Sequence, residues 1–412
     1  MCHKIFQREA VLAAAVIFCF SSFLLCVTAL ADTYTVNDTA DYNFPPPDDR
    51  VCLRYAIDQA NNHPGSDTII LPAGIYVLSA TISTTTENNN KQGDLDILDD
   101  LTISGAGAEQ TIVDGNGLDR VFDIYGDTVS MSGMTIRNGK APTGDFGGGG
   151  IRTSNGNLTL DKVIVSNNRV AAGGDANDYG GGVGNNGVCT IINSTIANNE
   201  AYKGGGLSNN GTSIAIFMST VSGNTSTGLA GGIFGGNGLT IVNSTISSNS
   251  SISGTGGIYS FGANTIISTT ITNNSSASGT DGYCNGTGGT LSVKNSIIAQ
   301  NGNVNCCYST GMTSNGYNLE DTDTCGFTNA SDLINSDPKL LTLQNNGGPT
   351  FTHALQSSSP AIDAGTSVFM FGTDQRGQKR PCGAGYDIGA YEKCSSLLLF
   401  IPAITGNSKS TH

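Results

Sequence analysis

One phrase returns through the middle of this chain at a nearly fixed interval, and that interval leaves few folds open. It reads Val163-Ile164-Val165-Ser166-Asn167-Asn168, then Thr195-Ile196-Ala197-Asn198-Asn199, Thr220-Val221-Ser222-Gly223-Asn224, Thr245-Ile246-Ser247-Ser248-Asn249 and Thr270-Ile271-Thr272-Asn273-Asn274. The closing asparagines are 31, 25, 25 and 25 residues apart, and an echo ending at Asn301 follows 27 later. A second phrase keeps step with the first: Gly148-Gly149-Gly150-Ile151, Gly180-Gly181-Gly182-Val183, Gly204-Gly205-Gly206-Leu207, Ala230-Gly231-Gly232-Ile233 and Thr255-Gly256-Gly257-Ile258. Two phrases locked in phase mark a solenoid.

Each unit holds short stretches such as Leu239-Thr240-Ile241 and Ser244-Thr245-Ile246, which alternate with the period of a strand; no helical period survives in them. A unit this small cannot bury its own apolar face, whereas stacked units continue parallel sheets at roughly 4.8 Å per coil. The predicted fold is all-β: a right-handed parallel β-helix in which Ile196, Val221, Ile246 and Ile271 stack inward. The closing asparagines should hydrogen-bond to one another along the axis, and the triple glycines should supply turns with positive φ. Thr195, Thr220, Thr245 and Thr270 fall on the outward phase and should form a flat hydroxyl row, which either suits an exposed strand or orders water.

Charged residues make up only 13% of the chain while glycine reaches 56 residues, so the surface must be covered by neutral polar groups. Regularly placed Ile, Val and Leu argue against disorder despite that composition. With 19 basic against 33 acidic residues the net charge is −14, which disfavours nucleic acid and anionic membrane surfaces as partners. Gly147 to Gly150 are followed by no Gly-Lys-Ser/Thr and do not read as a phosphate loop.

At the front, Lys4 and Arg8 precede an apolar run from Val11 to Leu30 that closes on Ala29-Leu30-Ala31, the pattern of an export signal over residues 1–31. The mature chain would start at Asp32 and be extracellular or cell-surface, monomeric and without a spanning segment. Of its eight cysteines, Cys382 should pair with Cys394, and Cys284, Cys306, Cys307 and Cys325 should pair among themselves; Cys52 and Cys189 complete the even set. Zinc is the rival use, but no C-x-x-C occurs. Leu53, Ala56, Ile57 and Ala60 make one apolar stripe between Cys52 and Asn62, ended by His63-Pro64-Gly65, and predict a short N-terminal capping helix. Thr68 to Leu78 reads as the first coil. The expected divisions are 32–100 for the cap and first coils, 101–335 for the repeats, 336–394 for C-terminal coils and cap, and 395–412 for a tail. That tail's apolar part, Leu397 to Ile404, is too short to span a bilayer.

Leu53-Arg54-Tyr55-Ala56-Ile57 with Gln59-Ala60-Asn61 resembles the N-terminal motif of CSLREA-type bacterial surface proteins, departing from it at Val51, Cys52 and Tyr55. Gly93-Asp94-Leu95-Asp96-Ile97, Leu101 to Gly107 and Asp119-Arg120-Val121-Phe122 are similar to the same group. Asn345 to Leu355, Ser359-Pro360-Ala361-Ile362-Asp363-Ala364-Gly365, Asp374-Gln375-Arg376-Gly377 and Asp387-Ile388-Gly389-Ala390-Tyr391-Glu392 resemble the choice-of-anchor Q domain. The likeness to polymorphic outer-membrane proteins is more distant. These resemblances imply a secreted right-handed β-helix with a variable C-terminal attachment and no catalytic residues.

Asp94, Asp96, Asp99 and Asp100 form the one dense set of carboxylates on a candidate strand, with Asp94 and Asp96 on one face and Leu95 and Ile97 on the other. They are candidates for a calcium site, the only cofactor suggested, or for an acid/base pair; the plainer reading is solvated aspartates at a coil edge. Arg120, Arg137, Arg152 and Arg169 are spaced 17, 15 and 17 apart, out of step with the coil, and read as scattered surface charges. Tyr125, Tyr179, Tyr202 and Tyr259 are candidates for stacking on sugars or for plugging a solenoid edge. The expected role is structural or adhesive, gripping a glycan or surface protein along the polar sheet face without turnover, and no catalytic residue is assigned. The alternative is a polysaccharide lyase or glycoside hydrolase of the pectate-lyase-like type, which needs a basic residue beside an acidic sugar or a pair of carboxylates. Residues 204 to 280 carry almost no charge to serve either purpose.

Overall fold

A computed structural model describes residues 31–394 except 43–45, 81–88, 127, 172–176, 237, 308–310 and 368–371. Residues 1–30 of the export signal expected over 1–31, and the tail expected at 395–412, lie outside the described residues. The coil that starts at Ile258 shows the repeating plan: strands Ile258–Ser260, Ala263–Ile267, Thr270–Thr272 and Ser275–Ser276 join four parallel sheets of eight, eleven, nine and six strands. The chain is a parallel β-helix, as the repeat requires. Ile196, Val221, Ile246 and Ile271 are direct partners in the nine-stranded sheet, and all four are fully buried. Ile191, Ile216, Ile241 and Ile266 make the corresponding row in the eleven-stranded sheet, and one continuous apolar core runs between the sheets.

Corners divide two jobs between adjacent residues. Asn167, Asn198, Gly223, Ser248 and Asn273 take the left-handed bend, with φ between 57° and 66°, and the asparagine that follows each turns inward. Asn199 donates its backbone N–H (3.0 Å) and its Nδ2 (3.0 Å) to Asn224 Oδ1, and Asn224 repeats both bonds to Asn249. Each side chain also donates to a strand carbonyl, as Asn224 Nδ2 does to Ile196 O at 3.0 Å. A second ladder occupies another corner, where Ser194 N–H reaches Ser219 Oγ at 3.0 Å and Ser219 N–H reaches Ser244 Oγ at 3.2 Å. The triple glycines differ from expectation: only Gly148, Gly180 and Gly204, first in their triplets, have positive φ, and Ala230 (φ 58°) fills the same place. Their successors are needed for close approach. A Cβ on Gly205 would stand 2.2 Å from Thr225 O, and one on Gly206 2.9 Å from Asn224 Nδ2.

Helix α1, Leu53–Asn62, covers the first coil with Leu53, Ala56, Ile57 and Ala60 buried. Arg54, also buried, fixes it by pairing with Asp41 at 2.7 Å and donating to Gly93 O (2.8 Å) and Asp94 O (2.7 Å). Ile57→Asp puts an unpaired carboxylate under this plug and is expected to lower stability by about 3 kcal/mol or more in thermal unfolding. An unchanged melting temperature would contradict the capping role.

Among the described residues of 336–394 no strand joins the four parallel sheets. Leu340–Gln344 pairs antiparallel with Thr352–Leu355, and the segment returns across the outer face of the nine-stranded sheet. There it covers the threonine row predicted to face solvent. Thr220 Oγ1 donates to Phe351 O (2.7 Å), Thr245 Oγ1 to Gln375 Oε1 (2.6 Å), and Thr270 Oγ1 accepts from Ala390 N–H (3.1 Å). Thr220, Thr245 and Thr270 are consequently buried. Inside the cover Arg376 pairs with Asp374 at 2.7 Å and Arg380 with Glu392 at 3.1 Å. His353 Nδ1 lies 2.6 Å from Leu341 O and must donate to it, so Nε2 accepts from Ser247 Oγ at 2.8 Å.

Burial raises the Asp387 carboxyl to about 6. The folded protein holds this proton more tightly than the unfolded chain does. Its stabilising contribution is complete below the ordinary value of about 4 and is lost as pH rises through about 6. The melting temperature of the wild type minus that of Asp387→Asn should therefore be larger at pH 5 than at pH 7; a pH-independent difference would contradict the shift.

Three disulfides join Cys284 to Cys307, Cys306 to Cys325 and Cys382 to Cys394, within the groups expected. The other two cysteines of the even set do not pair. Cys189 stacks between Leu158 and Ile214 as a small apolar side chain, its thiol pushed up to about 12 by burial, and Cys52 is buried just before α1.

Candidate functional site

Strands of the eight-stranded sheet are three residues long, and their middle residue points outward. In register these are Asp96, Asp123, Arg152, Gly184, Ser208, Phe234, Tyr259 and Cys284. The row is charged at one end, small in the middle and aromatic at the other.

At the charged end, carboxylate oxygens of Asp94, Asp96 and Asp123 gather within 4.8 Å of one another, all three residues buried. Asp99 and Asp100 are outside this group. Asp100 accepts from Thr128 N–H at 2.7 Å and Asp99 from Asp100 N–H at 2.8 Å, so both hold turns. Arg120 Nε is 2.7 Å from Asp94 and its guanidinium also meets Asp145; Arg152 Nε donates to Asp123 at 2.8 Å, with further bonds to Asp145 (2.9 Å) and Tyr125 OH (2.7 Å). These two arginines are buried and convergent, contrary to their reading as scattered surface charges. Coil length is the reason: Asp96, Asp123, Arg152 and Gly184 lie 27, 29 and 32 residues apart, so a test for one constant period misses them. Arg137 pairs with Asp114 at 2.8 Å, and Arg169 is exposed. Burial pushes the Asp94 carboxyl well above the usual range, with Arg120 opposing it, and burial raises Tyr125 to about 12. Three hard carboxylates are a donor set calcium accepts. The two guanidiniums already supply counter-charge to it.

At the aromatic end, Tyr179, Phe234 and Tyr259 are stacked, with centroids 6.0 and 6.1 Å apart and planes within 11° and 2°. Tyr179 reaches Phe234 over the small Ser208. Phe261 meets Phe234 and Tyr259 edge-on at 6.0 and 5.3 Å. Lys203 Nζ stands 5.1 Å from the Tyr179 centroid, 5.7 Å from Tyr202 and 5.8 Å from Phe234. Phe234 is buried and the other rings are half-buried. Tyr202 lies against Gly228 and Phe261 against Gly286, where an added Cβ would meet ring carbons at 2.7 and 2.3 Å. Of the tyrosines singled out from the sequence, Tyr179, Tyr202 and Tyr259 come together here and Tyr125 belongs to the charged end. Phe234, Phe261 and Lys203 were not singled out, although Phe234 and Tyr259 hold the same place, 25 residues apart, after Gly-Gly-Ile.

No family model matches the chain, and no curated protein sequence matches it significantly. Among solved structures, the crystal structure of pectate lyase Pel9A is similar, with a TM-score of 0.43 and 14% identity over 88% of this chain and 96% of that one. A likeness at that level brings no activity, substrate or cofactor with it. Among the described residues no helix is long and apolar enough to cross a membrane.

Proposed function

We propose that this protein is an exported cell-surface solenoid that binds a glycan or surface protein at the aromatic end of its eight-stranded sheet and does not turn it over. The observation that carries this reading is the half-exposed strip of Tyr179, Tyr202, Tyr259 and Phe261 around Phe234. Aromatic rings with one face packed and one edge wet are the usual contacts of a recognition surface. Three disulfides suit an oxidising compartment, in keeping with an export signal over residues 1–31. The C-terminal motifs that resemble a choice-of-anchor Q domain supply Thr350, Phe351, Gln375 and Ala390 to the cover on the nine-stranded sheet, in keeping with a display module. Catalysis by Asp94, Asp96 and Asp123 is disfavoured, because Arg120 pairs with Asp94, Arg152 pairs with Asp123, and Asp96 accepts from Asn90 N–H at 2.7 Å.

The test is incubation of the mature protein with a panel of soluble polysaccharides, following gel retardation and product together. Retardation by at least one polymer, with no new reducing ends and no unsaturated uronate, is expected. Product formation would replace this reading with the lyase or hydrolase. For Asp94, Asp96, Asp99 and Asp100 as calcium ligands, the check is thermal unfolding with 1 mM calcium against excess chelator. Equal melting temperatures are expected from a cluster in which Asp94 and Asp123 are already paired with arginine, and a calcium-dependent rise would make the cluster a metal site.

A further inference from the structure

We infer that the ligand of the aromatic face is a neutral, extended oligosaccharide, gripped by ring stacking at Tyr202 and Phe261; this rests on the binding reading above. Two features of the site point to a sugar. Tyr202 and Phe261 each lie against a glycine of a neighbouring coil, Gly228 and Gly286, where an added Cβ would meet ring carbons at 2.7 and 2.3 Å, and both residues stay half-exposed. A flat aromatic surface fixed in this way suits the C–H face of a pyranose, which is apolar while its equatorial hydroxyls remain in water. Both rings also belong to one strip along the coil axis, joined through Phe234, Tyr259 and Lys203. Coils in that direction repeat at roughly 4.8 Å, about the length of one extended sugar residue, so a chain laid along the strip meets rings at more than one unit.

Charge selects the class of sugar. Residues 204 to 280 contain no Lys, Arg, Asp or Glu, and the whole chain carries −14. Lys203 is the one cation that the described residues set against these rings, and its ammonium is shared among Tyr179, Tyr202 and Phe234. A polyuronate would meet a single engaged cation within a negative field, whereas a neutral chain meets no such penalty. Serine, threonine and asparagine around the strip match hydroxyl-rich partners.

The experiment is calorimetric titration of the mature protein with cellohexaose, xylohexaose, chitohexaose and hexagalacturonate, repeated on Tyr202→Ala, Phe261→Ala and Tyr202→Phe. Each variant is first shown to melt with the wild type. The inference expects at least one neutral hexamer to bind, affinity to fall about tenfold in each alanine variant, and Tyr202→Phe to stay within about threefold of wild type. Tighter binding of hexagalacturonate with the same dependence on both rings would overturn the neutral class and leave the binding reading standing. Neutral binding that ignores both alanine substitutions would overturn the placement. If no hexamer binds, the inference fails, while retardation by a longer polymer still supports the broader reading.

Discussion

Asn224→Ala is expected to destabilise the protein by about 3–5 kcal/mol, far more than an ordinary loop substitution, because one side chain closes a chain of buried hydrogen bonds. Asn199 would lose the acceptor of both its N–H and its Nδ2, and Ile196 O and Asn249 Oδ1 would each lose a donor. Buried polar groups left without partners cost about 1–3 kcal/mol each, and the site cannot admit water freely between packed coils. Asn198→Ala is the control. Asn198 is exposed and holds only the bend at φ 57°, so its replacement should cost about 1 kcal/mol. Urea unfolding of the two variants measures the contrast, and equal losses would mean that the inward asparagines do not form a ladder.

Asp123→Ala is expected to cost about 3–5 kcal/mol for a different reason: it takes from a buried guanidinium the more deeply buried of its two carboxylate partners and leaves only Asp145. Arg152 would lose its bonds from Nε and Nη2, and Tyr125 OH its acceptor at 3.0 Å. The pair Asp123→Ala with Arg152→Ala should then be less damaging than the sum of the two single changes, by about 1–3 kcal/mol in a double-mutant cycle. Additive losses would show that these charges act independently.

The period of the sequence was enough to find the stack. Every unit repeats the same local choices, so Ile196 and Ile271 carry the same message about which way is in, and the inward asparagines are visible as the last letter of each phrase. Thr220, Thr245 and Thr270 were correctly placed on the outer phase but not in their final surroundings. What covers them, Phe351, Gln375 and Ala390, lies some 120 to 131 residues further on, and a local pattern holds no information about a segment that returns from such a distance. Arg120 and Arg152 were hidden because their coils are longer than the central ones. The aromatic strip was half legible. Tyrosines draw the eye in a chain without tryptophan, but Phe234 and Phe261 read as ordinary apolar residues until the register sets them beside Tyr259.

Hydrogen exchange on the mature protein, with and without the polysaccharide that retards it, tests most directly whether the partner meets the aromatic end of the eight-stranded sheet. New protection is expected in peptides containing Tyr202 and Lys203, Phe234, and Tyr259 to Phe261, with none around Asp94 to Asp100. Protection at the carboxylates near Asp123, or along the six-stranded sheet with the aromatic peptides unchanged, would contradict it.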